Sequence, residues 1–492
     1  MISRLAIDQG TTSTKAYRSD VDGTAVAVGT RTHRQIHPRP GWVEHDPTEL
    51  LSDIRALIDA AGPCAVAALA NQGETVVAWD AHTKRPLHNA IVWQDERTGD
   101  AIARLRADGV AALTRQVAGL PLDPYFSASK LRWLLDHAEG AQDLRRAGRL
   151  RLGTTDAFFL DALTGVFATD VSTASRTSLM DLSRLAWSAP LCAAFGVSIE
   201  CLPEIRPTVG DFGQIPGGPR LVASVVDQQA SLYGHRCEQP GDVKITFGTG
   251  AFVLGLAGHT PPESDGGLLA TCAWQIDGEA PQYALEGGVF TAGAALDWAG
   301  RMGLFADHEA LAGLDGPSAA GRDLFFVPAQ SGLGCPHWDR SARGAWIGLG
   351  LDTPREDLCR AVLEGVAFRA AEIVRAMARP GAPGRRVSVD GGLSRSRYFT
   401  EFLAAAIGRP IEIATMPDVT ALGLLALCAY SQDAAWGVDR ASWRRIECGT
   451  PLPDALHARF TDAVSRTRGW AAETRSPDPQ PCLIRNLEGA WP

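Results

Sequence analysis

The sequence opens on a strand, a turn rich in glycine and threonine, and a second strand, and this pattern returns near the middle of the chain. The first copy is LAIDQGTTSTKAY, from Leu5 to Tyr17, and the second is VKITFGTGAFVLGL, from Val243 to Leu256. Thr249 follows Thr11 by 238 positions, so the 492-residue chain falls into two halves of similar length. Two halves that begin alike predict a duplicated α/β architecture rather than one large core.

The turn of the first hairpin has the composition of an anion-binding loop. Gly10 lets the backbone approach a ligand closely. The hydroxyl residues after it, Thr11, Thr12 and Ser13, can offer donors to phosphate oxygens. Asp8 ends the first strand, where a carboxylate can hold Mg²⁺ through water. The chain has no GxxxxGK[ST] string, so the turn is not a P-loop, and it is predicted either to cradle phosphate or to be an ordinary polar hairpin.

Composition limits the classes of partner. Hydrophobic residues make up 45% of the chain and charged residues 21%, which is typical of a soluble globular protein. The net charge of -9 disfavours nucleic acid and anionic membranes, because both would be repelled. Ten cysteines without a CxxC pair favour reduced thiols in a cytoplasmic protein, and neither a leader pattern nor a membrane-length apolar run occurs. The expected partner is a small molecule.

Polar and aromatic residues follow several predicted strands, at the edge where open α/β sheets bind ligands. Glu74 follows the apolar run Val66–Ala70 and is either a hydrogen-bond acceptor for a substrate hydroxyl or part of a solvated turn. Trp93 ends another apolar run and is either a core residue or the wall of a sugar site. Asp227 follows the predicted strand Leu221–Val226 and is either the N-cap of the next helix or a general base.

Two helix starts are readable from local signals. Asp46 before Pro47 predicts a capped helix, because an aspartate side chain accepts from the first free N–H groups and proline fits the first helical turn. A second helix is predicted from about Ser127. Tyr125 lies at its entrance, well placed to project into a cleft, and Lys130 is interpreted as a surface residue of that helix.

The break between the halves is predicted in the polar segment HRCEQPGDVK, which carries Pro240 and Gly241. This gives an N-terminal domain over residues 1–240, a C-terminal domain over 241–435, and a peripheral extension over 436–492 without recognisable chemistry. Gly391 and Gly392 follow a predicted strand, where they would let a nucleotide lie flat against the backbone at the start of a helix.

Together these segments resemble the FGGY family of carbohydrate kinases and, among its members, the glycerol kinases. The resemblance runs from Leu5 to about Tyr430. The matching segments are DQGTTSTK, NQGET, NAIVWQ, DPYFSASKLRWLLDH, ASRTSLMD, VVDQQA, FGTGAF, YALEGGVFTAGA, GLGCPHWD and VDGG followed by DVTALG. The resemblance implies two actin/hexokinase-like (ribonuclease H-like) α/β domains that flank a deep catalytic cleft.

The resemblance also implies roles for single residues. For the nucleotide it implies Thr11, Thr12, Ser13, Lys15, Thr249, Gly293, Asp297, Gly392 and Ser396, with Asp8 near the metal. For the polyol it implies Glu74, Trp93, Tyr125, Asp227, Gln228 and Phe252, with Asp227 as the catalytic base. ATP and Mg²⁺ are the implied cofactors, and homodimers or homotetramers are common among members.

Several positions depart from the glycerol kinase pattern. Gly73 stands where glycerol kinases have an arginine that donates to the terminal hydroxyls of glycerol, so those donors are lost unless another side chain fills the space. Lys15 replaces an arginine and keeps its charge without the bidentate fork. Asp297 and Ser396 stand where glutamine and asparagine are frequent. The segment FGQIPGGPRLVAS is too short for the glycine-rich loop through which some bacterial members bind a sugar bisphosphate.

Three functions are compatible with these features. The first is ATP-dependent phosphorylation of a small polyol, as in glycerol plus ATP giving glycerol 3-phosphate and ADP. The second is phosphorylation of a larger polyol or a ketose such as erythritol, xylulose or ribulose, which Gly73 favours. The third is an ATP-driven clamp of the actin or chaperone type, which would need neither Asp227 at a strand end nor the aromatic residues Trp93 and Phe252.

Overall fold

A computed structural model describes residues 3–19, 25–264, 267–307, 311, 314–378, 386–416, 418–432 and 443–471. The strands are β1 Arg4–Gln9, β2 Ser13–Ser19, β3 Ala25–Thr32, β4 Glu44–His45, β5 Val66–Asn71, β6 Val76–Asp80, β7 Ala90–Ile91, β8 Leu150–Thr154, β9 Ala168–Asp170, β10 Met180–Asp181, β11 Ala186–Trp187, β12 Glu204–Arg206, β13 Arg220–Val226, β14 Val243–Phe247, β15 Ala251–Gly258, β16 Leu269–Trp274, β17 Gln282–Val289, β18 Phe325–Val327, β19 Ala345–Ile347, β20 Val387–Gly391, β21 Ile411–Ala414 and β22 Trp443–Ile446. The α-helices are α1 Pro47–Ala61, α2 Gly99–Ala107, α3 Val110–Leu113, α4 Ser127–His137, α5 Ala141–Arg146, α6 Thr155–Thr164, α7 Val171–Ala174, α8 Ala189–Phe195, α9 Asp227–Gly234, α10 Gly293–Arg301, α11 Arg355–Met377, α12 Arg397–Ile407, α13 Val419–Tyr430 and α14 Asp454–Ser465.

Each half of the chain is built on a mixed sheet with the same strand pattern. The first sheet has the order β3-β2-β1-β5-β13, in which β1 to β3 are antiparallel and β5 and β13 run parallel to β1. The second sheet contains β17-β15-β14-β20-β21 with the same alternation of antiparallel and parallel neighbours. The equivalent order in both sheets confirms the duplicated α/β architecture predicted from the two hairpins.

The central strands of the first sheet are buried on both faces, which explains their nearly continuous apolar sequence. Side chains alternate between the faces. Leu5, Ile7 and Leu69 pack in one core cluster with residues of α1. Ala6 and Ala68 pack in another cluster with residues of α13. The small alanine side chains allow α13 to lie close to this face of the sheet.

Helix α13 belongs to the C-terminal half of the sequence but packs on the first sheet and crosses α9. Two glycines mark the crossing. A Cβ atom on Gly423 would lie 1.9 Å from the carbonyl oxygen of Ala230, and one on Gly234 would lie 2.2 Å from the carbonyl oxygen of Val419. The two helices therefore approach to backbone contact, and this crossing connects the two halves of the chain.

Part of the C-terminal extension is integrated into the second half, in contrast to the expectation of a peripheral segment. Strand β22 pairs antiparallel with β21 at the edge of the second sheet. Phe460 of α14 is buried and stacks on Phe368 of α11, with ring centroids 4.7 Å apart. Within the described residues 443–471, the extension contributes a strand and a packed helix, and neither leaves a chemical signature in the sequence. Among the described residues, no helix has the length and apolarity that crossing a membrane requires.

The starts of α1 and α4 agree with the sequence predictions, whereas the burial of Lys130 does not. Asp46 accepts a hydrogen bond from Thr48 N at 2.8 Å, which confirms the capped start of α1. Helix α4 begins at Ser127 as expected. The interpretation of Lys130 as a surface residue is wrong, because its side chain is fully buried. The sequence around Lys130 did not indicate that backbone carbonyl groups would accept hydrogen bonds from its ammonium group.

Candidate active site

The two glycine-rich turns retain exposed hydroxyl side chains. In the first turn Gly10 N donates to Ser13 O at 3.0 Å, and Thr12 stays exposed. In the second turn Thr249 is exposed, and Gly293 N donates to Gly248 O at 3.0 Å. A Cβ atom on residue 293 would lie 2.5 Å from that carbonyl oxygen, so the glycine is required for α10 to hold the turn.

Trp93 connects the first turn to the second half of the chain. Its indole Nε1 donates to Thr11 Oγ1 at 2.9 Å. Its ring meets Tyr125 edge to face, with centroids 5.5 Å apart, and Phe252 with centroids 6.2 Å apart. Phe252 follows Thr249 by three residues on β15. The structure therefore brings three predicted pocket residues into one aromatic wall beside both turns.

The buried Lys130 fixes the segment that carries Tyr125. Its ammonium group donates to the carbonyl oxygens of Pro124 at 3.1 Å and Tyr125 at 2.5 Å. Burial lowers the pKa of Lys130 to about 8, and the nearby carboxylates, Glu74 first among them, oppose that shift. Lys130 therefore supports the aromatic wall from behind, a role that sequence reasoning missed.

Glu74 lies at the carboxyl end of β5 and is almost completely buried. Its backbone adopts a left-handed conformation with φ of 59°, which is uncommon for a residue with a side chain. Arg176 Nε donates to Glu74 Oε1 at 2.6 Å, and Arg176 Nη2 donates to Glu286 Oε1 at 2.9 Å. Burial raises the pKa of Glu74 to about 7 although Arg176 opposes the shift. The solvated-turn alternative for Glu74 is thereby excluded.

Asp227 is the first residue of α9, and Val226 occupies the cap position without a side-chain hydrogen bond. The N-cap interpretation is therefore wrong. The carboxylate instead accepts from Gln228 N at 2.6 Å. Burial raises the pKa of Asp227 to about 6, and the positive charge of Lys244 opposes that shift. Asp227 is mostly ionised at neutral pH, as a general base must be.

Gln228 and Lys244 form a polar link behind Asp227. Lys244 lies on β14 and is fully buried. Its Nζ donates to Gln228 Oε1 at 2.5 Å and to Thr246 Oγ1 at 3.1 Å. The side-chain oxygen of Gln228 is thus committed to Lys244. The side-chain amide of Gln228 also donates to the carboxylate of Asp227, which leaves one N–H of that amide for a substrate hydroxyl.

Asp8 meets the chemical requirements of a Mg²⁺ anchor. It is deeply set, and its Oδ1 accepts no hydrogen bond from any described residue. Burial, Asp418 and Asp227 raise its pKa, whereas Lys15 lowers it. No group of three acidic, histidine or cysteine ligands was found among the described residues. Mg²⁺ commonly binds through one or two carboxylates, water and substrate phosphates, so Asp8 fits this ion.

Lys15 contacts the second half of the chain. Its Nζ donates to Asp418 Oδ2 at 3.0 Å, and Asp418 also caps α13 by accepting from Ala421 N at 3.1 Å. Lys15 keeps 39% of its side chain exposed. The predicted phosphate contact of Lys15 stays a prediction, and its positive charge lies next to two carboxylates of the site, Asp8 and Asp418.

The remaining nucleotide residues lie around the second sheet. Gly391 has φ of 94°, and a Cβ atom there would lie 2.1 Å from Phe247 O, so this glycine is needed for packing. Gly392 is exposed with open space at its Cβ position, as a ligand-facing glycine requires. Ser396 caps α12 by accepting from Phe399 N at 3.3 Å. Asp297 lies exposed on α10.

The space beside Gly73 is filled from a neighbouring strand. A Cβ atom on Gly73 would lie 3.2 Å from Val226 Cγ1. Val226 ends β13 directly before Asp227 and is buried. An apolar side chain therefore occupies part of the volume that the missing arginine would take, and no donor replaces it at this position.

Besides Lys130, three charged residues of the site were missed by sequence reasoning. Arg176 lies in the segment ASRTSLMD, Glu286 in YALEGG and Lys244 in VKITF. Glu286 and Lys244 could have been found, because each is a single charged residue inside a mostly apolar strand. For Arg176 the sequence offered no such signal, since its neighbours are small and polar.

Comparison with known proteins identifies the chain's relatives. Residues 3–218 match the N-terminal domain of the FGGY family of carbohydrate kinases, and residues 243–432 match its C-terminal domain. The chain is 42% identical to the glycerol kinase of Thermus brockianus over 491 residues, covering 95% of this chain and 99% of that protein.

Comparison with solved structures leads to the same family. The glycerol kinase of Plasmodium falciparum with ADP superposes with a TM-score of 0.85 at 29% identity, covering 95% of this chain and 98% of that one. The xylulose kinase of Lactobacillus acidophilus has a TM-score of 0.83 at 21% identity, over 96% of this chain and 99% of that one, and so shares the fold. This chain therefore belongs to the FGGY family of carbohydrate kinases and is an ATP-dependent kinase.

Proposed function

We propose that this protein transfers the γ-phosphoryl group of ATP to a hydroxyl of glycerol. The observation that supports the proposal is the line of contacts from Thr11 through Trp93 to Phe252, which connects the aromatic wall with the first glycine-rich turn and with the strand that follows the second. The high identity to a glycerol kinase over the whole chain supports the same substrate. The domain limits at about 240 and 435 belong to this proposal.

In the proposed mechanism the chain positions the reactants and moves one proton. The backbone and hydroxyl donors of residues 11–13 and 249–250 hold the phosphates from two sides. Asp227 accepts the proton of the attacking hydroxyl. Glu74 and the amide of Gln228 orient the polyol, while the aromatic wall around Trp93 covers its carbon atoms and excludes water. Transfer to water is thereby suppressed.

Asp8 is proposed to hold Mg²⁺ through its unpartnered Oδ1. When bound, Mg²⁺ would supply neutralisation of the charge that develops on the phosphoryl oxygens. Lys15 and Asp418 set the local charge around Asp8. Location in the cytosol is part of the same proposal, and it is supported by the lack of a disulfide bond among the nine described cysteines.

A kinase of a larger polyol or a ketose is the second candidate function. Gly73 favours it, because the donors that would select a three-carbon substrate are missing at this position. Val226 opposes it, since its side chain already fills part of the freed volume. The length of substrate that the pocket accepts therefore depends on how much of the space beside Gly73 the side chain of Val226 leaves open.

A substrate panel tests the proposal. Glycerol, erythritol, xylulose and ribulose are each incubated with ATP and Mg²⁺, and ADP release is recorded. We expect the highest kcat/KM with glycerol. A higher value with one of the longer substrates supports the second candidate. ADP release that depends on none of them would refute kinase activity on polyols and ketoses, and Asp227→Ala serves as the inactive reference. Light scattering on the same preparation distinguishes the proposed homodimer and homotetramer from a monomer.

A further inference from the structure

A buried triad of charged side chains lies at the base of the predicted polyol pocket. The guanidinium of Arg176 divides its hydrogen bonds between Glu74 at 2.6 Å and Glu286 at 2.9 Å. The exposed fractions are 2% for Arg176, 4% for Glu74 and 2% for Glu286. Charged groups are rarely buried to this degree unless each one has a partner. Here two carboxylates share a single cation.

The triad spans both halves of the molecule and is rigidly held. Glu74 follows β5 of the first sheet, and Glu286 lies on β17 of the second. Arg176 follows α7, where Ser175 Oγ hydrogen-bonds Thr271 Oγ1 at 2.7 Å. The guanidinium therefore cannot follow one carboxylate away from the other without breaking contacts with the second sheet.

The charge of Glu74 depends on its immediate neighbours. The titratable groups that face it are Arg176, Glu286, Lys130 and Tyr125. Burial and the negative charge of Glu286 favour the protonated acid, whereas Arg176 and Lys130 favour the carboxylate. Arg176 is the only group that forms an ion pair with Glu74 in the described part of the chain.

One oxygen of Glu74 remains available. Oε1 accepts from Arg176, and Oε2 accepts no hydrogen bond from the described residues. The guanidinium carbon also lies 5.9 Å from the ring centroid of Tyr125, which places the ion pair directly behind the aromatic wall. A carboxylate fixed in this way presents a pure acceptor, whereas a protonated acid would offer a donor as well.

We propose that Arg176 is a positioning residue for substrate: it holds Glu74 as an oriented carboxylate whose second oxygen accepts a polyol hydroxyl, and Glu286 fixes the guanidinium in place. The inference rests on the proposed function, because it takes Glu74 to contact the polyol. It assigns a role to two residues outside the predicted pocket set.

The test compares the pH dependence of KM for glycerol in three proteins. In Arg176→Met, Glu74 loses its cation, so KM rises about 10- to 100-fold at pH 7 and recovers partly at high pH. In Glu286→Gln the amide oxygen still accepts from Arg176, but the negative charge that raises the pKa of Glu74 is removed. Glu74 then stays ionised to lower pH, so the rise of KM on acidification also moves to lower pH. We therefore expect the pH profile of KM for glycerol to move to higher pH in Arg176→Met and to lower pH in Glu286→Gln. KM for ATP should be unchanged in both variants.

Arg97 supplies a matched control. It is another buried arginine forked between two carboxylates, Glu44 at 2.7 Å and Asp95 at 2.8 Å, and neither carboxylate belongs to the triad around Arg176. Arg97→Met should lower thermal stability without moving the pH dependence of KM. Equal effects of Arg97→Met and Arg176→Met on the KM profile would overturn the proposal. If Arg176→Met does not fold, Glu286→Gln alone decides, because an unmoved profile in that variant also overturns it.

A second measurement does not depend on turnover. Infrared difference spectra with ¹³C-labelled glutamate, assigned through Glu74→Gln, report the protonated carboxyl group of Glu74. We expect that signal to be absent at pH 8.5 in the wild-type protein and present in Arg176→Met. Its absence in both proteins would refute the inference. A wild-type chain that shows the expected spectra but phosphorylates no polyol would refute the proposed function instead.

Discussion

Replacement of Asp227 by asparagine probes the proton transfer directly. Asparagine keeps the shape and an oxygen that can accept from Gln228 N, so the start of α9 is preserved. It cannot take a proton from the attacking hydroxyl. General bases of this kind contribute about 10²- to 10⁴-fold to kcat, which corresponds to about 3–5 kcal/mol of transition-state stabilisation. We expect a loss of that size in Asp227→Asn.

The pH dependence of the wild-type protein provides a second part of the same test. Burial raises the pKa of Asp227 to about 6, so about nine-tenths of the molecules carry the carboxylate at pH 7 and about one-tenth at pH 5. The base acts only when deprotonated, so kcat is full above this pKa and falls as the pH drops through it. We expect wild-type kcat to fall about tenfold from pH 7 to pH 5.

The assay is steady-state ADP release at saturating glycerol and ATP, with ADP binding by calorimetry as the control for folding of the nucleotide site. Asp227→Asn should bind ADP as the wild-type protein does. A variant that keeps wild-type kcat, or that retains the decline near pH 6, would show that another group takes the proton. The assignment of Asp227 as base would then be wrong.

Three further predictions concern single atoms of the structure. Gly423→Ala places a methyl group 1.9 Å from the carbonyl oxygen of Ala230, so we expect a loss of about 1–3 kcal/mol or more in urea unfolding. Asp8→Asn should raise the Mg²⁺ concentration needed for half-maximal activity at least about tenfold without loss of stability, because a buried negative charge is removed. Gly73→Ala, whose methyl group meets Val226 at 3.2 Å, should raise KM for erythritol more than KM for glycerol.

Each of these has a control. Gly449→Ala is matched to the helix-crossing variant, because a Cβ atom there meets nothing within 4 Å, and it should leave stability unchanged. An unchanged Mg²⁺ requirement in the asparagine variant at position 8 would remove that residue from the metal site. Equal effects on glycerol and erythritol at position 73 would show that the volume beside Val226 does not select substrate length.

Local patterns in the sequence were sufficient for the repeated strand–turn–strand units, the start of α1 at Asp46 and the strand-end position of Asp227. These features depend on neighbouring residues along the chain, so alternation of apolar side chains and local hydrogen bonding determine them. Local patterns also made Trp93 and Tyr125 candidates for a binding site. Family resemblance assigned both to the polyol pocket and added Phe252, and the structure brings Trp93 into contact with each of the other two rings.

The sequence by itself therefore determined the two-part α/β architecture, the two glycine-rich turns and the kinase family. Only the tertiary structure decided which charges are buried together, because Arg176, Glu74 and Glu286 are distant in sequence and meet through packing of both sheets. The same holds for Lys130, which is buried by the turn it supports. Burial and pairing depend on long-range contacts, and these contacts set the protonation states of the charged residues in the candidate site.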